Sequence, residues 1–115
     1  MKLVLNKCYG GFSLSDGAVR HIAALKGIQL FEEDQEFWTE FYIDAALEEP
    51  FDFRSIPRWD EHLVAVVEEF KALANGQHAK LEIIDIPQGQ QFRIQEYDGK
   101  EWLEFPSDIT WETAA

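Results

Sequence analysis

The residues best placed to do chemistry are few, and the first of them is a thiol. Cys8 lies in Cys8-Tyr9-Gly10-Gly11-Phe12-Ser13, between a short apolar run and a segment with helical spacing. A thiolate near a helix N-terminus has a lowered pKa and can act as a nucleophile, with His21 as a conceivable base. A small Cys8-dependent hydrolase or transferase is therefore one reading. Against it, the thiol precedes the helix by several residues, no peptidase signature surrounds it, and nothing in the sequence aims His21 at it. A buried cysteine beside a Gly-Gly turn is the simpler account. The same glycines could offer backbone amides to a phosphate, yet neither G-x-G-x-x-G nor a Walker lysine pattern is present. His21, His62 and His78 stand apart from one another and there is no second cysteine, so a structural zinc site has no ligand set. Glu32-Glu33-Asp34 lacks the spacing and the glycine of an EF-hand loop. No catalytic residue, metal or cofactor is assigned on this basis.

The other chemical feature is charge. The 115 residues carry 22 Asp and Glu against 10 Lys and Arg, a formal net charge of −12. The excess is local: residues 28 to 55 contain nine acidic side chains and only Arg54, a net of −8, whereas residues 1 to 27 carry four basic and one acidic, a net of +3. Duplex DNA is bound mainly by Lys and Arg neutralising phosphates, so direct nucleic-acid binding is not expected. A disordered acidic tail would lack large apolar residues, but this segment also holds Phe31, Phe37, Trp38, Phe41, Tyr42, Ile43, Phe51 and Phe53. Residues 36 to 44 alternate. As a strand they would place Glu36, Trp38, Glu40, Tyr42 and Asp44 on one face, and Phe37, Phe41 and Ile43 on the other. With Glu32, Glu33 and Asp34 these form the candidate partner-binding set: carboxylates steer a basic partner and the rings supply desolvated anchors. A merely solvated acidic face is the alternative.

The elements that must position these residues follow from periodicity. Lys2 to Lys7 reads as a strand. A helix follows, beginning near Ser13 or Ser15, either of which can cap it, with Leu14, Ala18, Ile22 and Leu25 on one face and Gly27 as its stop. Asp60 is the expected N-cap of a second helix, whose stripe is Leu63, Val66, Val67, Phe70, Leu73 and Ala74, ending at Asn75-Gly76. Lys80 to Ile86, Gln91 to Tyr97 and Lys100 to Phe105 read as a three-strand meander, joined by a turn at Pro87 and a two-residue loop at Asp98-Gly99. The expected fold is α+β, with two helices packed on an antiparallel or mixed sheet of about four to five strands. Residues 1–106 are expected to form one domain and residues 107–115 a loosely held tail. No run approaches the length of a membrane span and the N-terminus turns polar too early for a secretory signal, so a cytoplasmic protein is expected.

Three segments carry a resemblance: residues 2–15, with Cys8-Tyr9-Gly10-Gly11-Phe12-Ser13 at their centre; Ile56-Pro57-Arg58 ahead of Leu63-Val64-Ala65-Val66-Val67-Glu68-Glu69; and Glu96-Tyr97-Asp98-Gly99-Lys100-Glu101-Trp102. On them the chain resembles a family of short, largely uncharacterised proteins encoded by phages and prophages. The resemblance implies a setting and no catalytic residue. Many small acidic phage proteins block host enzymes that act on nucleic acid, and in size and acidity the chain is similar to anti-CRISPR and other DNA-mimicking inhibitors. The partner implied is a basic surface on a host protein or ribonucleoprotein complex. A phage accessory or structural protein without inhibitory role is the other reading.

Overall fold

A computed structural model describes residues 1–115. The elements in chain order are β1 (Lys2–Asn6), α1 (Asp16–Leu25), β2 (Phe31–Asp34), β3 (Thr39–Tyr42), α2 (Glu61–Phe70), β4 (Leu81–Asp85), β5 (Arg93–Tyr97) and β6 (Lys100–Glu104), with short 3-10 turns at Phe53–Ser55, Lys71–Ala74 and Pro106–Asp108. The α+β class and the two helices agree with the sequence. The sheet differs: six strands form three antiparallel pairs, β1 with β4, β2 with β3, and β5 with β6.

Both helices start where a side chain satisfies their free N–H groups. The Ser15 hydroxyl accepts from Ala18 N at 3.2 Å, and the Asp60 carboxylate accepts from His62 N and Leu63 N at 3.0 Å each. The second helix stops earlier than its apolar spacing suggests. Lys71 takes a φ of +53°, and one 3-10 turn follows to Ala74. That change of pitch buries Ala74 but turns Leu73 out to 79% exposure, removing it from the expected stripe.

The expected meander is also replaced. Its first pairing, β4 with β5, is absent because β4 runs beside β1, with Val4 opposite Ile83 and Leu3 opposite Ile84. The Pro87–Gln90 turn, closed by Gln90 N donating to Pro87 O at 3.1 Å with Gly89 at φ +83°, then carries the chain to another layer. Alternation along β1 explains this layering. Val4 points to the core shared with α1 and α2, whereas Leu3 and Leu5 point to a second cluster with Ile86, against which Ile94 and Leu103 of the β5–β6 hairpin pack. The order is therefore helices, then β1–β4, then β5–β6. Leu3, Val4 and Leu5 are wholly buried, each contributing roughly 1.5–3 kcal/mol relative to exposure.

A continuous sheet cannot grow from β1 because its free edge is occupied. Val4 N donates to the Arg58 carbonyl at 2.9 Å, and Asn6 N donates to Glu101 Oε1 at 2.8 Å. The molecule measures 62 × 28 × 25 Å, and its radius of gyration of 16.7 Å exceeds the roughly 13 Å of a compact chain this long. No helix is long and apolar enough to cross a membrane.

Candidate functional site

The acidic segment folds as a hairpin rather than as one strand. Phe31 pairs with Tyr42, Glu32 with Phe41, Glu33 with Glu40 and Asp34 with Thr39. Gln35 N donates to Trp38 O at 2.8 Å and closes the turn, so Glu36 and Phe37 form its tip. Phe37, expected to face inward beside Phe41, is 82% exposed, and Ile43 is exposed as well. Only Phe41 of that trio reaches the core. The strand is four residues long, too short to carry a single alternating row from 36 to 44.

Antiparallel pairing sorts the candidate carboxylates onto two faces. Glu32 lies on the face of Phe41. Arg20 of α1 grips it with a fork, Nη2 to Oε1 at 2.8 Å and Nε to Oε2 at 3.0 Å, while its guanidinium sits 5.7 Å from the Phe41 ring centre. These hydrogen bonds hold Glu32 below the usual carboxylate range and raise Arg20, and Asp34 adds its field to Arg20. Glu32 therefore belongs to the hairpin's attachment, whereas Asp34, on the same face, is exposed and forms no ion pair.

The opposite face is uncompensated. Glu33 and Glu40 stand directly across the strands, and neither forms an ion pair. Gln35 Nε2 donates to Glu33 Oε1, and Trp38 Nε1 donates to Glu40 Oε1 at 2.6 Å. Tyr42 shares this face: partial desolvation, followed by the fields of Glu33, Glu40 and Asp44, pushes its phenol above the ordinary tyrosine value. Asp44 also organises the next loop, its Oδ1 accepting from Glu48 N at 3.0 Å and Glu49 N at 2.9 Å. The free edge of β3 is covered in turn, since Phe51 N donates to Phe41 O and Ile43 N to Glu49 O. Of the predicted set, Glu33, Trp38, Glu40, Tyr42 and Asp44 are brought together. Glu36 is separated to the tip.

The thiol is not brought to its conceivable base. His21 Nε2 lies 3.6 Å from Glu69 and its ring packs against Phe70 across the two helices, while Cys8 makes only backbone hydrogen bonds, both to Asn6. No three His, Cys, Asp or Glu side chains gather as a metal-binding group.

A second polar centre was not legible in the sequence. Asn6 is fully buried; its Nδ2 donates to the carbonyls of Cys8 and Gly99, at 2.7 Å each, and its Oδ1 accepts from Lys80 N at 2.9 Å. Beside it, Glu101 pairs with Arg58, whose guanidinium stacks 3.7 Å from the Phe12 ring centre. Above this floor opens a polar cleft of about 750 Å³. Backbones approach closely here: a Cβ on Gly99 would fall 2.0 Å from Gly11 N, and one on Gly10 would fall 2.7 Å from His78 Cβ. Three segments distant in sequence meet at this cleft, through Gly10 to Ser13, Arg58, and Glu96, Asp98, Gly99 and Glu101. Arg58, Glu101 and Asn6 were missed because their partners are remote in sequence, although a lone asparagine in an apolar strand was a signal. Cys8 does not line the cleft. Compared with known proteins, the chain matches no family model, no curated protein and no solved structure.

Proposed function

We propose that the protein is a non-enzymatic binding protein whose β2–β3 hairpin occupies a basic, nucleic-acid-binding surface on a host defence or DNA-processing complex. One observation carries this reading. Glu33 and Glu40 face each other with no cation between them, beside a Trp38 that is 57% exposed and a Phe37 that is 82% exposed. Like charges directly opposite in an antiparallel pair destabilise it, and exposed rings in water gain nothing. A basic partner removes both penalties, since its cations neutralise the carboxylates and its contact desolvates the rings. Arg20 shows the contrast: where a carboxylate of this hairpin serves the fold, a guanidinium compensates it. The candidate interface is accordingly Glu33, Trp38, Glu40, Tyr42 and Asp44, with Glu36 and Phe37 at the tip.

The test is competition. Basic proteins from a bacterial lysate are loaded on immobilised DNA and challenged with the protein over a salt series. Release of a defined set at low salt, falling steeply as salt rises, supports the reading. Equal release by a folded Glu33→Lys/Glu40→Lys/Asp44→Lys variant refutes it.

A further inference from the structure

At the root of the hairpin lies a cleft of about 770 Å³, bounded by residues 37–41 on one side and by the start of α1 and residues 50–54 on the other. We infer that this cleft receives an arginine side chain of the partner; the inference rests on the hairpin being the docking element. Three carboxylates line it, Asp16, Glu40 and Asp52, and none of them forms an ion pair. Phe37 and Trp38 supply exposed aromatic surface on the same wall.

The internal hydrogen bond between Trp38 and Glu40 makes the wall specific. It ties the indole to one carboxylate oxygen, Oε1, and leaves Oε2 free of any protein donor. Ring and charge are therefore held together before a ligand arrives, which lowers the ordering cost of binding. A planar guanidinium can stack on an aromatic face while donating in its own plane to a carboxylate, whereas an ammonium is a compact, more strongly hydrated charge with no planar face to stack and meets the same pair at a greater desolvation cost. Arg54 also lines the cleft and forms no ion pair. It stands 4.9 Å from the Phe53 ring centre and opposes a second cation. Its removal strengthens binding.

The probe is N-acetyl-arginine methylamide, with the lysine analogue as control, followed in the full chain by the indole N–H resonance of Trp38 and, so that Trp38→Leu can be read as well, by the backbone amides of residues 37–41. Saturable shifts centred on Trp38 with the arginine probe, at least threefold weaker with the lysine probe, are expected. Trp38→Leu or Asp52→Asn should weaken binding fivefold or more, and Arg54→Ala should tighten it about twofold. No shift at Trp38 up to about 20 mM probe, equal response to both probes, or unchanged binding in folded Trp38→Leu and Asp52→Asn overturns the inference. Loss of the arginine response while DNA competition survives removes this cleft alone. Loss of competition with the cleft still binding arginine removes the docking reading instead.

Discussion

Replacing Glu33 by Gln should stabilise the free protein while weakening its partner binding. The substitution keeps the oxygen that accepts from Gln35 Nε2 and deletes only the charge facing Glu40. Directly opposite residues have Cβ atoms about 5 Å apart, and two carboxylates at a comparable separation of about 6 Å in a water-like dielectric repel by roughly 0.7 kcal/mol. Screening at 0.1 M salt, where the Debye length is about 10 Å, reduces this to about 0.4 kcal/mol. For a domain of this size that corresponds to a Tm about 2 °C higher. At 1 M salt the Debye length is about 3 Å and the gain should fall below about 0.1 kcal/mol. Thermal and urea unfolding of both proteins at the two salt concentrations measure it. A variant less stable than the parent, or a gain that does not shrink with salt, would show that Glu33 and Glu40 do not strain this face.

Other substitutions test the frame around the hairpin. Arg58→Met leaves Glu101 buried without its cation and should cost about 3–5 kcal/mol in urea unfolding, much of it recovered by adding Glu101→Gln. A near-neutral single variant would contradict the role given to that pair. Gly99→Ala places a methyl 2.0 Å from Gly11 N at a φ of +89° and should unfold the 8–13 loop against β6, read as lost amide protection at Asn6 and Gly10. For Asp60, burial opposes the charge, but hydrogen bonds from Lys26 Nζ, Leu63 N and His62 N outweigh it and hold the carboxyl below its usual value. Its folded pKa is depressed, so its stabilisation is complete above the ordinary value near 4 and is lost as pH falls through the lower folded value. Asp60→Asn, which keeps the cap, should cost about 1–2 kcal/mol at neutral pH, with the difference vanishing as pH falls through the depressed folded value. A pH-independent difference would assign the effect to something other than the carboxylate.

What was legible in the sequence was local. Ser15 and Asp60 cap the helices through backbone groups two and three residues away, and Asp98-Gly99 supplies its own positive φ angles of 50° and 89°. Sequence spacing therefore located α1, α2 and the β5–β6 turn. The pairing of β4 was decided by both faces of β1, since the helices claim one and the β5–β6 hairpin claims the other. Alternation within β4 records neither claim. Strand β2 escaped notice because Glu and Asp are depleted in strands and its turn, Gln35-Glu36-Phe37-Trp38, has no Asn-Gly or Asp-Gly signal. The alternation from Trp38 to Asp44 was readable, but the partner strand that sets Glu33 against Glu40 was not. Arg58 and Glu101 are 43 residues apart, and no short-range pattern joins them.

On the proposed reading, the uncompensated hairpin face meets a basic, nucleic-acid-binding surface. The most direct test of that reading is the salt-dependent release of basic lysate proteins from immobilised DNA by the parent and by the folded Glu33→Lys/Glu40→Lys/Asp44→Lys variant. At least tenfold weaker release by the variant at low salt, converging with the parent as salt rises, is the predicted result. Superimposable release curves for the two proteins would show that these carboxylates do not meet such a surface.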